Sequence, residues 1–150
     1  MAEPAFQFVQ LQAIRDRALI QSFHREALWP VPAQGSPELA EHQAQVRWVC
    51  VERAGVPIGI ARLELAPPEF CYVAHFLVRP RWQRRGVGSW LLRAIEAYCR
   101  TLGIMRLSLQ ATQGSQSFYE SMYFRPDPLV PQFLKKEISP LQKKAFLGRP

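Results

Sequence analysis

His75-Phe76-Leu77-Val78-Arg79-Pro80-Arg81-Trp82-Gln83-Arg84-Arg85-Gly86-Val87-Gly88-Ser89-Trp90-Leu91-Leu92 is the stretch that decides the fold. It opens in an apolar run that reaches back to Phe70 and is bounded by Pro67-Pro68 and Pro80, the pattern of a buried strand. It closes in an amphipathic helix, where Val87, Leu91, Ala94, Ile95, Tyr98 and Leu102 recur at helical spacing and Gly103 marks the stop. Between the two lies a basic turn with glycine at 86 and 88. The first turn of a helix carries N–H groups without intrahelical partners, and the peptide dipoles add positive charge there. Such a turn suits an anion. Glycine lets a phosphate approach the backbone, and Arg84 and Arg85 add charge. Two common phosphate loops are excluded. A Walker A loop needs a lysine after its last glycine, and a dinucleotide fingerprint needs a third glycine where Leu91 stands.

Working outward, the pattern before this turn begins with a strand over Ala5–Gln10. A helix through Leu11, Ile14, Ala18, Leu19, Phe23 and Ala27 follows, ended by Pro30 and Pro32. Ser36-Pro37-Glu38 starts a short second helix running to about Gln45. Val46–Glu52 and Val56–Leu65, separated by Arg53-Ala54-Gly55, form a hairpin. After the long helix come a strand at Met105–Leu109, a short helix at Ser115–Met122 and a closing strand at Leu141–Leu147. A hairpin followed by strand-helix-strand implies an α/β chain of mixed α+β type, with helices on a mixed sheet.

The chain has 150 residues, 48% of them hydrophobic, which suits one domain over 1–150. No apolar run nears the length of a membrane span, and the first residues lack the basic and apolar stretches of a secretory signal, so a cytoplasmic protein is expected. Cys50, Cys71 and Cys99 are widely spaced and read as buried thiols, with no metal site. The formal charge of +7 fits nucleic acid or an anionic small ligand. No aromatic platform accompanies Arg79, Arg81, Arg84 and Arg85, which favours ligand phosphate. His24 and His42 are expected to face solvent, and lysines 135, 136, 143 and 144 to be solubilising surface charges.

With its flanking strand and helix, Gln83–Ser89 resembles the acyl-CoA segment of the GNAT superfamily of N-acyltransferases. Phe118-Tyr119-Glu120-Ser121-Met122-Tyr123-Phe124 resembles that family's second signature, on the short helix after the fifth strand. Tyr123 stands where the family has glycine, and Thr112 where it often has asparagine. Ala61-Arg62-Leu63 and Glu137-Ile138-Ser139-Pro140 resemble the ElaA-like branch. The likeness is good over about residues 46–125.

The resemblance implies a GNAT fold with a mostly antiparallel twisted sheet flanked by helices, and acetyl transfer from acetyl-CoA directly to a primary amine of a small molecule or protein. It implies that backbone groups of Phe76, Leu77 and Val78 hold the pantetheine arm and polarise the thioester carbonyl. It gives the pyrophosphate to Gln83, Arg84, Arg85, Gly86, Val87, Gly88 and Ser89. Tyr119 would protonate the leaving thiolate, against a plainer role as a core aromatic. The base stays open among His75, Glu64, Tyr72 and a water chain, since His75 also reads as an ordinary strand histidine and Glu64 as an ordinary strand-end acid. A non-catalytic acyl-CoA sensor with the same fold is the alternative. Partners expected are acetyl-CoA and an amine, without nucleic acid or membrane; a homodimer is left open.

Overall fold

The computed structural model describes residues 5–27, 45–112 and 114–139. The expected stop at Pro30 and Pro32, the second helix from Ser36, His42 and the strand at Leu141–Leu147 lie outside these residues. Among those described, the order is β1 (Phe6–Leu11), α1 (Arg17–Glu26), β2 (Gln45–Arg53), β3 (Val56–Ala66), β4 (Phe70–Val78), a 3-10 turn (Pro80–Trp82), α2 (Val87–Thr101), β5 (Arg106–Gln110), α3 (Gln116–Ser121), β6 (Arg125–Pro126) and β7 (Phe133–Glu137). The strands form one sheet in the order β1-β2-β3-β4-β5-β7-β6. Every neighbouring pair is antiparallel except β4 and β5.

Side-chain alternation sorts the sheet into two faces. Val49, Val51, Leu63, Leu65, Cys71 and Val73 meet Leu91, Leu92, Ile95 and Cys99 of α2 in the main core. Cys50 and Ile60 point the other way and meet Ile20 and Phe23 of α1. The three cysteines are buried free thiols, and burial pushes Cys50 up to about 12.

Three sequence expectations are corrected. The first helix begins at Arg17, not Leu11, because β1 continues through Leu11 to pair with Trp48. Ile14 sits in the intervening turn, 91% exposed. The proline-rich stretch after α3 yields two further strands, β6 and β7, and the alternation of β7 is carried by Phe133 and Leu134 against β5. Lys136 is not a free surface charge. Its Nζ lies 2.6 Å from Glu96 of α2, which also accepts from Arg100 at 2.6 Å.

Helix ends follow local rules. At the end of α2, Gly103 is left-handed, its N–H donates to Arg100, and the N–H of Ile104 donates to Cys99. The end of α3 repeats this Schellman pattern, with Tyr123 N–H to Glu120 and Phe124 N–H to Tyr119. Tyr123 takes the left-handed position, φ 72°, where glycine fits without strain. The turn therefore survives the replacement noted in the sequence, at a backbone cost of about 1 kcal/mol.

Candidate active site

β4 is where the sheet opens. It pairs with β5 only from Cys71 to Val73, opposite Leu107 to Leu109. Past Val73 it runs on for five residues without β5 as partner. On its other side the register with β3 slips: Ile60 opposes Leu77, but Arg62 opposes Ala74, so His75 and Phe76 share the single position of Ala61. This is a β-bulge, and His75 absorbs it with φ 49°.

The bulge inverts the alternation. Before it, Cys71 and Val73 face α2. After it, Phe76 and Val78 do. Leu77 goes to the α1 side, and the His75 ring lies against His24 and Trp48. His75 and Phe76 thus leave one kinked strand toward opposite faces.

On the α2 side, Phe76 meets Tyr119 of α3 at 6.1 Å between ring centroids and Phe118 at 6.4 Å. Tyr119 also packs on Phe124 at 5.9 Å. Burial raises the Tyr119 hydroxyl above its ordinary value, so it holds its proton through the neutral range. The start of α2 reaches the same spot: a Cβ at Gly88 would lie 3.4 Å from Phe118 and 3.7 Å from Phe76. Phe76, Gly88, Phe118 and Tyr119 are one contact group.

The turn into α2 is exposed at Gln83, Arg84, Arg85 and Gly86. Gly86 is the N-cap, with φ 83°, and no side chain caps that end. The first intrahelical bond there is Trp90 N–H to Gly86. A Cβ at Gly86 would meet nothing within 4 Å, so the approach from outside is clear. Gln83 reaches back and donates to the Val78 carbonyl at 3.1 Å. Arg85 and Arg53 both lie over the Trp82 ring, at 5.6 and 5.3 Å. Arg79, counted by sequence among the phosphate-facing arginines, faces α1 instead. It binds Glu26 at 2.7 Å, Ser22 at 3.2 Å and the Pro57 carbonyl at 3.1 Å, over the Phe23 ring.

The α1 side of the opening is polar and aromatic. Glu64 is fully buried, is followed by two more β3 residues, and pairs with Arg62. It is not an ordinary strand-end acid. Tyr72 lies opposite it on β4, raised to about 12 by burial and then by the Glu64 charge. His75 is lowered to about 4, first by burial and then by His24 and Arg62. His24 does not face solvent as expected. Its Nε2 lies 2.7 Å from His75 Nδ1. The missed signal was its spacing, four residues after buried Ile20, which places it on the buried stripe of α1.

The site residues fall into two groups. The fold gathers Phe76, Gly88 and Tyr119 on one side, and His75, Glu64 and Tyr72 on the other. Thr112, where asparagine is frequent in the resembled family, is clasped by Ser115, whose Oγ accepts its N–H at 2.9 Å and donates to its carbonyl at 2.8 Å. Among the described residues no cluster fit for a metal is present, and no helix is long and apolar enough to cross a membrane.

The sequence profile of the acetyltransferase (GNAT) family matches residues 11–124. Solved structures share the fold. N-acetylglutamate synthase from Neisseria gonorrhoeae, complexed with coenzyme A and L-arginine, superposes with a TM-score of 0.68 at 20% identity, over 91% of this chain and 34% of that one. This chain thus spans about a third of that protein. The ribosomal-protein-S18-alanine N-acetyltransferase of Escherichia coli gives 0.67 at 17% identity, over 93% and 97%. The PaiA N-acetyltransferase of Thermoplasma acidophilum, in complex with coenzyme A, gives 0.66 at 12% identity, over 89% and 99%. At these identities the likeness speaks to the fold. No curated protein matches closely enough to count as a relative.

Proposed function

We propose that this chain, which belongs to the acetyltransferase (GNAT) family, is an acetyl-CoA-dependent N-acetyltransferase that transfers the acetyl group directly to a primary amine in the opening between β4 and β5. The observation that carries this placement is the bulge at His75 and Phe76, which turns Phe76 to the α2 face and His75 to the α1 face just past Val73, the last residue paired with β5.

In this reading the donor enters from the α2 side. Its pyrophosphate rests on the N–H groups from Gln83 to Ser89, where Gly86 leaves the backbone open and Arg84 and Arg85 add positive charge. The pantetheine arm lies along the β4 edge at Phe76, Leu77 and Val78, in the place β5 would occupy. The backbone N–H groups there stabilise the charge that builds on the thioester oxygen. Tyr119, kept protonated by burial, gives its proton to the departing thiolate.

The acceptor comes from the α1 side. A lysine-like amine is mostly charged near pH 7 and must lose a proton to attack. His75 is neutral there and lies beside the acetyl position, so its imidazole is the base. Glu64 and Tyr72, on the same face beyond the Arg62–Ala74 pair, line the amine's approach. Donor and acceptor meet across one strand, so no covalent acyl-enzyme is needed, and positioning supplies much of the rate. The chain acts as one domain.

The test is release of free coenzyme A thiol across a panel of primary amines, with products identified by mass. For the best acceptor, Tyr119→Phe is expected to lower kcat by roughly 100-fold with little change in KM. A Tyr119→Phe enzyme as fast as the parent across the pH range would remove the proton-donor role. Thiol release without any acetylated amine would remove the acceptor class.

A further inference from the structure

His24 of α1 and His75 of β4 are 51 residues apart in sequence, yet their rings touch. The nitrogens lie 2.7 Å apart and the centroids 4.9 Å apart, with the planes at 67°. The Trp48 ring of β2 lies beside both, at 6.2 Å from His24 and 5.7 Å from His75. On its other side, His24 Nδ1 lies 3.0 Å from the carbonyl of Ile20.

That carbonyl settles the tautomers. A carbonyl only accepts, so His24 Nδ1 carries a proton. While the pair is neutral, His24 Nε2 is then the bare nitrogen, and His75 Nδ1–H donates to it. The remaining nitrogen of His75, Nε2, keeps its lone pair.

We propose that His24 is a positioning residue for amine deprotonation: it holds His75 in the Nδ1–H form and takes over the proton that His75 removes from the amine. This rests on the reading of His75 as the base. The step balances without any further reactant. An N–H bond of the ammonium breaks and a bond to His75 Nε2 forms. The bond from His75 Nδ1 to its hydrogen breaks and one to His24 Nε2 forms. His75 ends neutral, now protonated on Nε2, and His24 ends as imidazolium, donating to Ile20 and to His75. The amine keeps its electron pair for the thioester carbonyl.

The surroundings suit that direction of transfer. From β3, the Arg62 guanidinium, tied to Glu64, faces His75 and opposes a charge there. From β4, Tyr72 stays neutral. From β2 the neighbour is the uncharged Trp48. His24 belongs to the last turn of α1, where free carbonyls favour a cation. Beyond it, Glu26 is paired with Arg79. A base lowered to about 4 holds an abstracted proton poorly, and a partner that accepts it makes the removal productive.

The first measurement uses the full chain with 15N-labelled histidine and long-range proton–nitrogen spectra. At high pH both rings should show the Nδ1–H form, and the first proton taken up as pH falls should appear on His24. An Nε2–H form of His24 at high pH, or first uptake on His75, would overturn the proposal. The second is kinetic. His24→Phe is expected to cut kcat for the best amine roughly tenfold, with KM little changed and the acidic limb of the pH profile displaced. An unchanged rate and limb would overturn it as well. If His24→Phe fails to fold, the spectra of the parent chain decide. If His75→Ala is as active as the parent, the base assignment fails instead, and the spectra still judge the proton's path.

Discussion

Removing the His75 imidazole should flatten the dependence of stability on pH between neutrality and pH 5. His75 titrates at about 4 in the folded chain, against about 6.5 when free. The folded value is depressed, so between the two values the unfolded chain binds more protons than the folded one. Stability is therefore fully present above the free value and is lost as pH falls toward 4. Between pH 7 and pH 5, linkage with these two values gives roughly 2 kcal/mol. His75 is only half-buried and screened by solvent, which brings the expected contribution to about 1 kcal/mol. The assay is urea unfolding of the parent and of His75→Phe at pH 7, 6 and 5, comparing the change with pH rather than the stability itself. Constant effects of the new side chain cancel in that comparison. The parent should lose about 1 kcal/mol more than the variant on going from pH 7 to pH 5. Equal losses would refute the claim that burial, His24 and Arg62 keep His75 neutral.

Acetyl-CoA at about 100 times its dissociation constant should stabilise the chain by roughly 2.7 kcal/mol, read as a rise in melting temperature; no shift would contradict donor binding. Gly86→Ala should cost about 1 kcal/mol of stability from its φ of 83° alone, since nothing crowds the new methyl, and should also weaken acetyl-CoA binding. A calorimetric titration matching the parent's would move the pyrophosphate away from this turn. Tyr123→Gly should raise stability by about 0.5–1 kcal/mol: it relieves the left-handed strain at φ 72° and gives up a Lys136 contact 5.7 Å from the ring. A lower melting temperature would show that the tyrosine ring outweighs the strain. Arg62→Ala should destabilise by about 3 kcal/mol in urea, because fully buried Glu64 loses its guanidinium. A loss under about 0.5 kcal/mol would show that the pair contributes little.

The strand–turn–helix segment proposed to hold the donor was legible in the sequence because it is built from neighbours in the chain. A strand end, a glycine turn and a helix start within His75–Leu92 follow from local rules alone, and the short helix bearing Tyr119 carries its own pattern. The hairpin, the long helix and the central strands followed from periodicity for the same reason. The α1 face beside the bulge was not legible. Which face His75 takes, and which Phe76, depends on a one-residue slip against β3, and register is decided by pairing across strands. His24 and His75 meet only because α1 crosses the sheet at that bulge. Arg79 read as a phosphate-facing charge and Lys136 as a surface one until the fold brought Glu26 and Glu96 to them. β7 follows Pro126, Pro128 and Pro131 and carries Lys135, Lys136 and Glu137, residues of weak strand preference, which pairing with β5 overrides. The sequence by itself determined the glycine turn that opens α2, to which the proposed function assigns the donor's phosphates. Tertiary structure alone decided which side chains meet on the α1 face beside the bulge, because those contacts join residues that no local rule connects.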